Sequence, residues 1–104
     1  MTDEEKKKFY LDQFTIRANV YEELMPWVQE NMPDRIDQIK SITSGLYEAR
    51  AWIMIGFLDS ESLNQNLEAT KTAVDWISGM MTDEERNVVI EKANKKTKAW
   101  LESE

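Results

Sequence analysis

The chain has no cysteine and no histidine, and only three glycines and two prolines in 104 residues. Without cysteine, neither a disulfide framework nor a thiolate metal site can form. Without histidine, the commonest general base, the usual zinc and copper ligand and every nucleophile–histidine pair are missing too. The glycines stand at 45, 56 and 79, too scattered for a loop that cradles phosphate with backbone N–H groups. Covalent catalysis would fall to serine, lysine or a carboxylate without their usual helpers. The sequence therefore reads as a non-enzyme, with no catalytic residue, no cofactor and no metal site. The longest apolar run, residues 51–58, is too short to cross a bilayer. Residues 1–8 carry lysines with no apolar stretch behind them, so no signal peptide is expected and a cytoplasmic home fits.

What is present is an ordinary globular composition, 41% hydrophobic and 32% charged, enough for one domain spanning 1–104. The net charge of −7 is unevenly spread: residues 9–85 hold 14 acids against 5 bases, while lysines gather near both ends. Such an acidic body repels nucleic-acid phosphates, so direct nucleic-acid binding is not expected. It would speed the approach of a basic protein partner.

Sparse glycine and proline favour long helices over many short strands. Thr2-Asp3-Glu4-Glu5 recurs as Thr82-Asp83-Glu84-Glu85. Threonine with glutamate three residues later is a capping box, in which each side chain satisfies a free backbone N–H of the other. The extra acids suit the positive end of a helix dipole. These starts, with Asp59 or Ser60 as a third cap, predict an all-α antiparallel bundle of three to four helices: about 3–31 with a kink at Pro26, 33–57, 60–78 and 83–102.

The first helix carries two adjoining stripes, Phe9, Ile16, Val20, Leu24 and Phe14, Ala18, Tyr21, Met25, Val28, a face wide enough for two neighbours. In the second, Gly45 among Ser41, Thr43 and Ser44 predicts a bend or a close helix crossing. Residues 51–58 are apolar all round and are expected to be the most buried piece of the protein. The third helix has a heptad-like stripe, Leu63, Leu67, Thr70, Val74, Ile77, Met81, and Gly79 is its expected left-handed C-terminal residue. This stripe and the last helix are expected to contribute to a homo-oligomer seam.

Paired acids such as Asp34 with Asp37, or Glu22 with Glu23, lack the Glu-x-x-His partners of a carboxylate-bridged metal bundle and read as solvated helix faces. Four tryptophans and six methionines are the residue types that favour adaptable protein surfaces. On that ground Met25, Trp27, Met80, Met81 and Trp100, together with Leu67 and Val74 of the third-helix stripe, are the candidate partner-binding residues. The profile is similar in style to small accessory proteins of bacteriophages that block or redirect host factors, with no residue correspondence. The function expected is that of an acidic helical interaction protein, an inhibitor or adaptor that binds a larger protein, does not enter a membrane and can self-associate. Alternatives are an oligomer that sequesters a small anionic ligand such as a nucleotide, and an acidic nucleic-acid mimic.

Overall fold

The computed structural model describes residues 1–103. Four helices follow one another: α1 (Asp3–Asn31), α2 (Ile36–Met54), α3 (Ser60–Ser78) and α4 (Asp83–Ser103), with one 3-10 turn, Pro33–Arg35, before α2. Among the described residues there is no strand. Both capping boxes form. The Glu5 N–H donates to the Thr2 hydroxyl and the Thr2 N–H to the Glu5 carboxylate; Thr82 and Glu85 repeat the exchange. Asp59 starts α3 by accepting from the Glu61 N–H.

Long-range contacts show how the helices run. Tyr10 of α1 donates to Asn64, and Tyr21 to the Thr70 carbonyl, so α3 lies parallel to α1. Trp100 pairs with Asp12 and Trp27 with Glu85, so α4 is antiparallel to it. Tyr47 of α2 meets Glu22 while the α1–α2 connection sits at the far end, so α2 is antiparallel as well. Each of α2, α3 and α4 packs principally on α1, which serves as the central column.

This arrangement answers to the double stripe. Phe14, Ala18, Tyr21, Leu24 and Val28 are all at most 1% exposed and form the core with Ile39, Leu46 and Ile53 of α2 and Leu63 and Ile77 of α3. Full burial of such side chains contributes about 1.5–3 kcal/mol each, which offsets the ordering of a chain this short. The outer members of the first stripe are less covered: Phe9 and Ile16 are exposed and Val20 is half-buried. The buried members of the heptad stripe are used within the molecule: Leu63, Ile77 and Met81 join the core, and Thr70 accepts hydrogen bonds from Arg17 and Tyr21 of α1.

α1 runs from Asp3 to Asn31 with Pro26 inside it at an exposed position, matching the expected span of 3–31. Three local expectations are corrected. Gly45 marks no close crossing, since a Cβ built there would meet nothing within 4 Å. Gly79 is right-handed, with φ −64°, and the left-handed glycine is Gly56, with φ 102°. Segment 51–58 is not the most buried piece. Within it Ile53 is fully buried and Leu58 half-buried, while Trp52, Met54, Ile55 and Phe57 all lie exposed.

Candidate interaction surface

The exposed apolar segment is built by the way α2 ends. The Phe57 N–H donates to the Trp52 carbonyl and the Gly56 N–H to the Ile53 carbonyl, both at 3.0 Å. That bond pair is a Schellman motif, which needs a residue with positive φ in the position Gly56 occupies. It ends the helix abruptly and folds Phe57 back beside Trp52. Asp59 then caps α3 only three positions after Gly56, so the chain turns away at once and no described residue covers the turn. Trp52, Met54, Ile55 and Phe57 consequently stand out at 43–75% exposure, with Ile55 the most exposed. Single apolar residues on a surface need no explanation, but four exposed ones within six positions are a concentration of the kind found at interfaces.

The seven residues expected from sequence do not converge on one surface. Met25 and Leu67 are half-buried and pack on the core. Met81 is buried, and with the half-buried Val74 it lines a cleft between α3 and α4 whose floor is Val20 and Leu24 of α1. Trp27 is held at one end of the molecule by its indole N–H, which donates to Glu85 at 2.6 Å. Trp100 is held at the other by Asp12 at 3.3 Å. Met80 is exposed in the turn before α4. Residue type and, for Leu67 and Val74, helical spacing pointed to these positions. Their partners lie 58 and 88 residues away for the two tryptophans, beyond any local signal. The residues that sequence reasoning missed, Trp52 to Phe57, carried a signal in Gly56, whose freedom at positive φ marks a helix end there.

A polar clamp joins α1, α2 and α4. Lys96 contacts Glu22 at 2.9 Å and Glu23 at 2.8 Å, and the Tyr47 hydroxyl donates to Glu22. Burial works to raise the Glu22 carboxyl, but the bonds from Tyr47 and Lys96 outweigh it and leave it below its ordinary range. Lys96 is pushed up to about 12 by its hydrogen bonds to Glu23 and then Glu22. The Arg50 guanidinium lies 4.9 Å from the Trp100 ring centroid and 5.6 Å from that of Tyr47, tying α2 to α4 by cation–π contact. Lys96 pairs with both Glu22 and Glu23, whereas Arg50 has only its ring contacts and a buried Nε without a hydrogen-bond partner among the described residues, so the ionic part of the cluster is an architectural clasp.

A second cleft, of about 180 Å³, opens between α2 and α3 over Val28 and is walled by Trp76. No group of three or more acidic residues placed to hold a metal ion occurs among the described residues. No described helix is long and apolar enough to cross a membrane. Comparison with family models, with curated proteins and with solved structures finds no match to this chain.

Proposed function

We propose that this chain is a small acidic interaction protein that docks on a larger protein, as an inhibitor or adaptor, through the apolar turn between α2 and α3. The observation that carries this reading is the exposure of Trp52, Met54, Ile55 and Phe57 on a rigid turn. Tryptophan, phenylalanine and methionine are enriched at the cores of protein interfaces, and a turn fixed by its own backbone bonds loses little entropy on docking. The acidic body supports the choice of a basic partner, because complementary charge raises the encounter rate.

The test is capture from cells of the source, with the natural chain and an Ile55→Asp/Phe57→Ser variant as paired baits. Both replacements are on exposed side chains, so circular dichroism should report the same helical fold. A partner held by the natural chain and lost from the variant is the expected result. Identical capture by both baits, or capture by neither, overturns the reading. Light scattering of the same two proteins examines self-association: a dimer that reverts to the 12.2 kDa monomer in the variant would assign the turn to a second copy.

A further inference from the structure

The cleft between α2 and α3 has the composition of a small-ligand site and lies far from the apolar turn. Its floor is aliphatic, from Val28, Ile39, Ile42 and Ile77, and one wall is the indole of Trp76. Two polar side chains stand at the lining, Arg35 and Gln38. The Arg35 guanidinium is 5.6 Å from the Trp76 ring centroid, so it overhangs the same wall a ligand ring would meet. Its nearest carboxylate oxygen, on Asp34, is 4.0 Å away, outside hydrogen-bond reach, and no described residue accepts a hydrogen bond from it. A planar fork of N–H donors, in cation–π contact with Trp76 but donating no side-chain hydrogen bond among the described residues, thus stands at the mouth of an apolar space.

Size and lining together select the ligand class. Apolar cavities of roughly 150 Å³ hold one benzene ring, so about 180 Å³ accepts one ring with a short tail and no more. A nucleobase is disfavoured, because an aliphatic floor would leave its polar edges without partners. A hydrocarbon ring bearing one carboxylate fits both halves, the ring on Trp76 and the floor, the carboxylate on the guanidinium as a two-bond pair. We propose that this cleft binds a small aromatic monocarboxylate. This site stands independently of the docking turn.

Asp34 gives the proposal a sharp sign. Its carboxylate sits where it competes for Arg35 and repels an incoming anion, so removing its charge tightens binding while removing that of Arg35 weakens it. The probe is 3-phenylpropionate, titrated into the full chain and followed by amide chemical shifts and Trp76 fluorescence. Saturable binding at about 1 mM or tighter is expected from a ligand of this size. Arg35→Gln should weaken it about tenfold, the worth of a charge-assisted pair, and Asp34→Asn should tighten it by a factor of two or more, roughly the worth of one exposed charge pair. Both side chains are exposed, so both variants should fold. The uncharged 3-phenylpropanamide should bind more weakly than the acid. Absence of saturation, equal binding of acid and amide, no change in Arg35→Gln, or weaker binding in Asp34→Asn would each overturn the proposal. Ile55→Asp, at the opposite end of α2, should leave the titration unchanged, so failure here and failure of the docking turn are separable.

Discussion

Ile53 and Ile55 are two residues apart at the end of α2, yet Ile53 is 0% exposed and Ile55 is 75% exposed. Ile53 points into the core; Ile55 caps the helix just before Gly56 turns the chain. The two positions should therefore respond very differently to truncation. Ile53→Ala removes buried methylenes and leaves a cavity, costing about 2–4 kcal/mol. In a domain of this length each kcal/mol moves the melting temperature by about 4–8 °C, so a fall of at least about 8 °C is expected. Ile55→Ala should stay within about 0.5 kcal/mol of the natural chain. Thermal melts by circular dichroism would settle the pair, and equal effects would contradict the exposed turn.

Two glycines should give opposite signs on replacement by alanine. Gly45 is in a helix interior with open space around a built Cβ, so Gly45→Ala should stabilise by about 0.5–1 kcal/mol. Gly56 holds φ 102°, a region costly for any side chain, so Gly56→Ala should destabilise by about 1 kcal/mol or more. Urea midpoints of the two variants measure both.

Tyr21 should make the fold sensitive to alkali. Burial pushes its phenol up to about 12, only partly relieved by Arg17, and its hydroxyl donates to the Thr70 carbonyl at 2.7 Å. The folded value lies above the ordinary 10.0, so the unfolded chain ionises first. The stabilisation is whole below pH 10 and is lost as pH rises towards 12. Urea titrations at stepped pH should show the natural chain weakening across that window. Tyr21→Phe should be about 1 kcal/mol less stable at neutral pH and flatter in alkali.

Lys96 should act through salt more than through strength. The Lys96 Nζ is half-exposed between Glu22 and Glu23, so after solvent screening Lys96→Met should cost less than about 1 kcal/mol. Its raised value makes that contribution whole below 10.5 and lost as pH climbs towards 12; Glu22, held low, keeps it above 4.5 and loses it on acidification. At roughly 1 M salt, where charges are screened within about 3 Å, the natural and Lys96→Met proteins should differ least. Paired melts at low and high salt test this, and a salt-independent gap would count against an ionic clasp.

Helix starts were legible because capping is local chemistry: Thr2 with Glu5, Thr82 with Glu85 and Asp59 before Ser60 each decide their boundary within four residues. The double stripe of α1 was legible for the same reason, since helical spacing alone places Phe14 beside Ala18 and Tyr21. Segment 51–58 was misread because an apolar run implies burial only when something remains to bury it. Gly56 and the Asp59 cap use up the chain at that point, and that competition between neighbouring signals fixes the surface. The roles of Trp27 and Trp100 were illegible because Glu85 and Asp12 meet them only after α4 has docked. The α2–α3 cleft was hidden as well, since Arg35 and Trp76 come together only across a tertiary gap.

The placement of every other helix on α1 has a kinetic consequence. α2 finds α1 across a short connection, whereas the polar partners of α4 on α1 lie 58 to 88 residues away, a slower closure. α4 also buries only Val89 and Ala93. The α1–α2 hairpin should therefore form first and α4 last, and native-state hydrogen exchange should find the amides of α4 opening while those of α1 remain closed. A chain that looks like one cooperative bundle is, in time, a column that is clothed in stages and undressed in reverse.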